Sequence, residues 1–191
     1  MDPVYSKLPE DLETDRLLIR KYKAGDGAAV LALLERNHNR QFLLPNVEEV
    51  AKIKDIAAAE ANVRQHADEW EAQIRFVMGI WRKKDSLYIG EIWIEPNQWK
   101  VPSFELGWFL DSGVLGKGFA TEAANRSLTF IFSNLQAHKV IVISRDTNLR
   151  SIKLAERLGF KREGHFREAR IENGTRYGLV YFGLLKSEYI S

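Results

Sequence analysis

The sequence predicts an α/β fold in which helices cover the faces of a mixed sheet. Short β-branched and aromatic runs alternate along the chain with segments that carry apolar residues at helical spacing. No internal repeat and no glycine- or serine-rich linker divides them, and 191 residues with 45% apolar side chains suffice for one core. We therefore interpret residues 13–191 as a single domain that follows a polar N-terminal extension, residues 1–12.

The first part of the chain predicts a strand followed by helices. Residues 15–22 form a short mixed run typical of a strand, and residues 25–36 carry apolar residues at helical spacing. Residues 47–73 contain no proline or glycine and are rich in alanine, glutamate and lysine. They predict one long helix, or two helices that are broken near the middle.

The middle of the chain predicts three strands. Residues 74–81 and 87–94 are apolar, β-branched or aromatic, and the polar link between them indicates an antiparallel hairpin. Residues 103–110 follow as a third strand, after a turn region that contains two prolines.

The last part predicts helix, strand, helix and two strands. A helix opens at Gly118 and runs to about residue 136, and residues 139–144 form a continuous apolar run, as expected of a strand covered on both faces. Helical spacing over residues 148–158 ends at a glycine. The two final strands are joined by Asn173-Gly174, a strong hairpin signal.

The composition excludes several kinds of site and partner. The chain has no cysteine, which rules out disulfides, thiolate metal sites and a cysteine nucleophile, and its four histidines lack metal-ligand spacing. No stretch approaches the roughly 20 apolar residues of a membrane span, and the polar N-terminus does not resemble a signal peptide, so we expect a cytoplasmic protein. A net charge of +2 gives no global field that would attract nucleic acid.

The chemistry centres on the loop of residues 111–117 and the helix that follows it. A helix N-terminus carries unpaired N–H groups and partial positive charge, and glycines at 116 and 118 let a pyrophosphate approach the backbone. Two glycines before a helix also fit an ordinary tight turn. The spacing matches neither a P-loop nor the dinucleotide fingerprint, whose third glycine position is Thr121 here.

Four segments, which occur in the same order along the chain, resemble the GNAT acetyltransferases in the form found in their RimJ/RimL-like branch. Residues 115–123, Leu-Gly-Lys-Gly-Phe-Ala-Thr-Glu-Ala, resemble the acetyl-CoA signature of that family. Residues 13–20 resemble its opening strand, residues 104–110 its fourth strand, and residues 148–160 its Asn-x-x-Ser helix with a Gly-Phe exit. The resemblance covers about residues 13–188. It implies a GNAT fold, with a mostly antiparallel sheet of about seven strands that splays between strands 4 and 5 and has helices on both faces.

The resemblance also implies acetyl-CoA as co-substrate and assigns residues to it. The backbone of Trp108, Phe109 and Leu110 is expected to pair with the pantetheine arm. The pyrophosphate is expected on the turn of Leu115, Gly116, Lys117, Gly118, Phe119, Ala120 and Thr121. Leu115 stands where the family usually has Arg or Gln, which removes one side chain but leaves the backbone donors. Asn148 and Ser151, one helical turn apart, are expected to contact the coenzyme arm, although asparagine also suits a helix N-cap.

Acetyl transfer to an amine requires that a base remove a proton from the amine, and we expect Glu105 to do so, directly or through water. Strand alternation puts Glu105 opposite the apolar residues of its strand, and a carboxylate there is costly unless it is paired or faces a cleft. The family pattern also has glutamate at this position. A solvated or ion-paired Glu105 is one alternative, and Glu91 on the preceding strand is a competing base. This chemistry needs no metal.

The general acid stays open at this point. Many relatives carry a tyrosine in the helix after the fifth strand, but the matching position here is Ala155. Ser144, at the end of the fifth strand, is a weak alternative that fits a structural role better. A thiol pKa of about 8.5 also makes the thiolate a fair leaving group without an acid.

The sequence leaves the acceptor undecided. The resemblance implies direct attack by a primary amine, with the N-terminal amine of a ribosomal protein, a polyamine or a drug as candidates. Residues 37–46 and 170–176 are expected to flank the acceptor groove, and we interpret their basic side chains as solvated surface. A non-catalytic module that binds acetyl-CoA is the competing class of function. The oligomeric state, monomer or homodimer, is also open.

Overall fold

The computed structural model describes residue 5, residues 7–172 and residues 174–190. Its strands form one sheet in the order β1-β2-β3-β4-β5-β6-β8-β7, and every neighbouring pair is antiparallel except β5 and β6. The strands are β1 (Asp11–Glu13), β2 (Leu17–Lys21), β3 (Phe76–Arg82), β4 (Leu87–Gln98), β5 (Ser103–Leu110), β6 (Lys139–Arg145), β7 (Lys161–Glu172) and β8 (Thr175–Leu185). The helices are α1 (Gly27–Glu35), α2 (Asn39–Leu43), α3 (Glu48–Ala51), α4 (Ile56–Glu71), α5 (Phe119–Ser133) and α6 (Leu149–Arg157).

The fold class is confirmed, with three local differences from the sequence prediction. The sheet has eight strands because β1, which begins inside the predicted N-terminal extension, pairs with β2. Helix α2 lies in a segment predicted as a loop. Residues 47–73 form two helices, α3 and α4, which was one of the two predicted alternatives, but the break lies at residues 52–55 and not near the middle. Asp55 sets the start of α4 by accepting a hydrogen bond from the Ala58 N–H at 2.8 Å. The predicted hairpin residue Asn173 lies outside the described residues.

The sheet separates two clusters of buried apolar side chains. One cluster packs α5 against the face that carries Phe104, Leu106 and Leu110. The other joins α1 and α4 to the opposite face, which carries Phe109. Period-two alternation along β5 produces this division, since successive side chains of a strand point to opposite faces. We name these the α5 layer and the α1–α4 layer.

Strand β6 alternates between buried and half-buried residues. The prediction that both of its faces are fully covered is therefore wrong for one face. The residues Val140, Val142 and Ser144 are buried, whereas Ile141 and Ile143 are only partly covered. The partly covered face is open because Ile143 borders a cleft instead of a helix.

The parallel pairing between β5 and β6 is short. It joins Ser103, Phe104 and Glu105 to Lys139, Val140 and Ile141, and no pairing follows along the rest of the two strands. β5 pairs with β4 up to Leu110 and β6 pairs with β8 up to Arg145, so each strand stays ordered by its outer neighbour while the two diverge. This is the predicted splay. No helix in the described part of the chain is long and apolar enough to span a membrane.

Candidate active site

A cleft of about 930 Å³ opens where β5 and β6 diverge. Its lining comes from the second half of β5, the turn into α5, one face of α6, the α2–α3 segment and the β7–β8 hairpin. Its volume lies in the range of small-molecule sites, about 300–1,000 Å³. The cleft brings together residues that are far apart in the sequence, and it is the candidate active site.

The turn into α5 presents backbone N–H groups to the cleft. Gly116 and Gly118 have φ values of +75° and +80°, which L side chains rarely adopt, so glycine is required for the shape of this turn. Gly118 is the N-cap of α5, and no side chain caps this end of the helix. Phe119 and Ala120, in the first turn, line the cleft. A 15-residue helix with an uncapped N-terminus favours an anion at this point.

Arg16 and Glu122 hold the turn from outside the cleft. The Arg16 guanidinium donates to Glu122 Oε2 at 2.6 Å and to the Lys117 carbonyl at 3.0 Å, and it lies 4.5 Å from the centre of the Phe119 ring. The Thr14 hydroxyl donates to Glu122 Oε1 at 2.5 Å. Partial burial acts to raise the pKa of Glu122, but these hydrogen bonds outweigh it and hold the pKa below its usual range. Glu122 therefore carries its charge with a partner in place.

Asp111 fixes the start of the loop that leads to the turn. Its buried carboxylate accepts hydrogen bonds from Arg36 at 2.6 Å and from Asn37, Asn39 and the Gly113 N–H at 2.9 Å each. Burial acts to raise the pKa of Asp111, and the four donors lower it by more than that, so the carboxylate stays charged. The network ties the end of α1 and the start of α2 to the end of β5.

The end of β5 and the end of β6 face each other across the cleft. Trp108, Phe109 and Leu110 line it from β5, on the edge that β6 has left. Ser144 lines it from β6, but its hydroxyl donates to the neighbouring Arg145 carbonyl at 3.2 Å. Ala155, the position that lacks the family tyrosine, is fully buried and supplies no acid.

Helix α6 contributes its N-terminus and a row of basic side chains. Asn148 caps the helix by accepting a hydrogen bond from the Ser151 N–H at 3.3 Å, and its amide donates to Asn46 Oδ1 across the cleft at 3.2 Å. Both Asn148 and Ser151 line the cleft, so Asn148 serves as a cap and is also accessible to a ligand. The basic side chains of this face are Arg150, Lys153 and Arg157.

The predicted cofactor residues come together in the cleft with one exception. Leu115, Gly116, Gly118, Phe119, Ala120 and Thr121 line the cleft, as do the β5 and α6 residues described above. The exception is Lys117, whose ammonium donates to the Gly113 carbonyl at 3.1 Å and is exposed. Leu115 packs against the α5 layer, so it supplies no charge in place of the family's Arg or Gln.

Neither predicted base lines the cleft. Glu105 is half-buried on β5, and burial first and the facing Glu95 second raise its pKa. Trp93 covers Gly107, the next residue along the same face, so the indole lies beside Glu105 on the side of the cleft. Glu91 is fully buried, accepts a hydrogen bond from the Tyr22 hydroxyl at 2.6 Å, and has its pKa raised by burial.

The cleft also has aromatic and basic lining residues. Phe42, Trp93 and Tyr177 line it, and the guanidinium of Arg145 stacks on Tyr177 at 3.9 Å from the ring centre. Arg170, from the β7–β8 hairpin, lines it as well. Both segments that the sequence predicted to flank an acceptor groove contribute to the lining of the cleft, residues 37–46 through Phe42 to Asn46 except Leu44, and residues 170–176 through Arg170.

A model of the acetyltransferase (GNAT) domain matches residues 16–161. The chain belongs to the GNAT acetyltransferase family. This acetyltransferase is 26% identical to the uncharacterized N-acetyltransferase YnaD of Bacillus subtilis over 180 residues, 93% of this chain and 98% of that protein. It is 34% identical to spermidine N(1)-acetyltransferase of Vibrio cholerae over 76 residues, 40% of this chain and 44% of that protein.

Solved structures of GNAT acetyltransferases share the architecture of this enzyme. RimL, a ribosomal L7/L12 alpha-N-protein acetyltransferase in complex with coenzyme A, superimposes with a TM-score of 0.83 at 15% identity, covering 92% of this chain and 98% of that chain. At this identity the likeness shows the fold. The sheet that splays between β5 and β6 is thus the GNAT sheet.

Sequence reasoning missed the residues that support the turn of this acetyltransferase. Arg16 and Glu122 lie 106 positions apart, and Arg36 and Asp111 lie 75 positions apart. No local spacing connects such pairs. Their only signal was that Arg16 and Glu122 both fall within segments that resemble the family, residues 13–20 and 115–123.

Proposed function

We propose that this cleft binds acetyl-CoA and that the enzyme transfers its acetyl group to a primary amine by direct attack. The observation that carries the proposal is the convergence of three features in one cavity: the free edge of β5, the uncapped N-terminus of α5 and the Asn148 amide. Acetyl-CoA has an extended arm with amides at one end and a pyrophosphate at the other. The free edge of β5 and the Asn148 amide match the arm, and the N-terminus of α5 matches the pyrophosphate.

Each part of the cofactor has a chemical partner in the cleft. The amides of the pantetheine arm pair with the free β5 edge as a neighbouring strand would. The pyrophosphate accepts hydrogen bonds from the N–H groups of Gly118, Phe119 and Ala120, aided by the partial positive charge of the helix end. Arg150, Lys153 and Arg157 face the same region and balance the remaining phosphate charge.

The acceptor amine approaches from the aromatic side, between Phe42 and Tyr177. Its nitrogen attacks the thioester carbonyl, and the thiolate of coenzyme A leaves and takes a proton from water, either directly or through the Ser144 hydroxyl, which regains its proton from the same water. Glu105 receives the proton that the amine loses, and water molecules beside Trp93 carry this proton. Burial and the facing Glu95 raise the pKa of Glu105, which makes it a stronger base than an exposed glutamate. The N-terminal amine of a protein and small amines are both acceptors of this kind.

Thiol release tests the proposal. Acetyl-CoA is mixed with the enzyme and a panel of amines, namely peptides with free N-termini, polyamines and amino acids, and free thiol is measured with time. We expect release that depends on both enzyme and acceptor. Acetyl-CoA binding without acceptor-dependent release from any class of amine would instead identify a non-catalytic binding module.

A further inference from the structure

The cleft is lined by basic side chains without acidic ones. Among the described residues, the charged side chains that line it are Arg145, Arg150, Lys153, Arg157 and Arg170. No aspartate or glutamate in the described part of the chain belongs to this lining. The imbalance is local, because the whole chain has 28 basic and 26 acidic residues.

The three basic residues of α6 lie on the face of the helix that lines the cleft. Arg150, Lys153 and Arg157 share one face of the helix, and the Arg157 guanidinium donates to the Thr121 hydroxyl in the first turn of α5 at 3.3 Å. If the cofactor is bound as proposed above, its phosphates account for these charges. Arg145, at the end of β6, and Arg170, on β7, remain.

Arg145 and Arg170 differ in how their charge is balanced. Arg145 donates to both carboxylate oxygens of Glu172, at 2.8 and 3.0 Å, and stacks on Tyr177. Arg170 makes one side-chain hydrogen bond, to the Ala169 carbonyl at 3.2 Å, and forms no salt bridge within the described residues. The two carboxylates nearest to it along the strand already have partners, because Glu168 pairs with Arg176 and Glu172 pairs with Arg145. The Arg170 guanidinium therefore has donors to offer to a ligand in the cleft.

We propose, on the basis of the proposed function, that the acceptor is a primary amine that also carries a carboxylate, and that Arg170 binds this carboxylate. A polyamine does not fit, because its additional ammonium groups would meet the unbalanced charge of Arg170 with no carboxylate among the described lining residues. Aromatic rings hold ammonium groups through their faces, but Arg145 already covers Tyr177, and Arg150 lies 5.7 Å from the ring centre of Phe42. The same positive field favours the neutral, nucleophilic form of the amine.

Matched acceptors test this inference. Ser-Glu-amide is compared with Ser-Gln-amide to test a side-chain carboxylate. Ser-Phe is compared with Ser-Phe-amide to test a C-terminal carboxylate. Spermidine is the polycation. Thiol release from acetyl-CoA gives kcat/KM for each. We expect at least one acid to exceed its amide by about tenfold or more, as for a charged hydrogen-bonded pair, and spermidine to be the poorest acceptor.

Two variants locate the effect. R170Q should bring the acid-to-amide ratio close to one, whereas R167Q, a charge change on the same strand at a residue that does not line the cleft, should keep the wild-type ratio. Equal rates for both acids and their amides, a preference for spermidine, or an unchanged ratio in R170Q would each overturn the inference. In those cases turnover itself still supports the proposed function. Thiol release from no acceptor would overturn both.

Discussion

Glu105, the proposed base, lies beside the cleft and not in its lining. If it removes the proton of the amine through water, Glu105→Gln should lower kcat by about 10²- to 10⁴-fold, with little change in acetyl-CoA affinity. The loss should shrink at high pH, where the amine is already deprotonated. The pH profile of kcat and the affinity for acetyl-CoA together measure this. Equal kcat for the variant and the wild type at pH 7 would exclude the role.

Glu95→Gln provides the matched control for that experiment. Glu95 faces Glu105 across β4 and β5 and is one cause of its raised pKa. Removal of the Glu95 charge should lower the pKa of Glu105. The acidic limb of the wild-type profile, where activity rises as the base loses its proton, should then move to lower pH while the maximum kcat persists. A limb that stays in place would mean that another group is titrating.

Arg16 lies outside the cleft, and its loss should weaken cofactor binding selectively. In Arg16→Ala the Glu122 carboxylate, in the first turn of α5, would lose its charged partner and repel the pyrophosphate. We expect KM for acetyl-CoA to rise by about tenfold with kcat nearly unchanged, and Arg16→Lys to restore part of the affinity. Steady-state kinetics at saturating acceptor give both constants. Arg82→Ala, which breaks an arginine–aspartate pair on β3, is the control and should leave KM unchanged. A fall in kcat without a change in KM would contradict this role.

At the scale of elements, the contact between Asn46 and Asn148 links the α2–α3 segment to α6 across the cleft. The proposed cofactor arm needs the same Asn148 amide that now donates to Asn46. Asn46→Ala should free that amide and lower Kd for acetyl-CoA by about two- to tenfold, the net value of one hydrogen bond. Asn148→Ala should raise Kd instead.

Calorimetric titration with acetyl-CoA measures both changes. Asn97→Ala removes an asparagine whose amide donates to the Ser103 hydroxyl near the other end of β5, and it should leave Kd unchanged. Unchanged affinity in Asn46→Ala would show that the two asparagines do not compete with the cofactor.

The elements that the sequence predicted are those with strong local signals. Runs of apolar, β-branched and aromatic residues predicted β3 and β4. Gly118 predicted where α5 begins and Gly159 where α6 stops, because glycine at positive φ marks such points. Helix α2 was missed because no local signal marks it. It begins after Asn37 and His38, both at positive φ, and the buried Asn39 amide fixes it through the Leu33 carbonyl and Asp111.

The candidate site was predicted in outline for the same reason. The turn and Asn148 belong to short motifs, whereas Arg170 and Trp93 reach the cleft only through the hairpin register and the facing strands. Tertiary pairing decides which of several basic residues on a hairpin borders a cavity. Sequence alone therefore treated Arg170 as one of many solvated charges.

At the scale of the whole molecule, a bound cofactor should join the two parts of the sheet and raise the free energy of unfolding. A ligand at about 100 times its Kd adds roughly 2.7 kcal/mol, which is about 5–10 °C in Tm for a domain of this size. Thermal unfolding with and without acetyl-CoA measures the shift. No shift at millimolar acetyl-CoA would contradict the proposed site.

Glycine variants assign that shift to the turn. Gly118→Asp puts a carboxylate at the anion site and should abolish the shift. Gly159→Asp introduces the same side chain at a glycine with a similar φ of +88° that does not line the cleft, so it should lower Tm but keep the shift. Loss of the shift in both variants would point to general damage to the fold.

The separation of the core into an α5 layer and an α1–α4 layer has a consequence for how such enzymes diversify. Leu115, Phe119 and Ala120 belong to the first layer, whereas Phe42, Val47 and Trp93 pack against the second. Mutations in separate clusters act almost independently on stability. Descendants of one ancestral chain can therefore acquire new acceptors by rebuilding one layer while they inherit the cofactor half with little change.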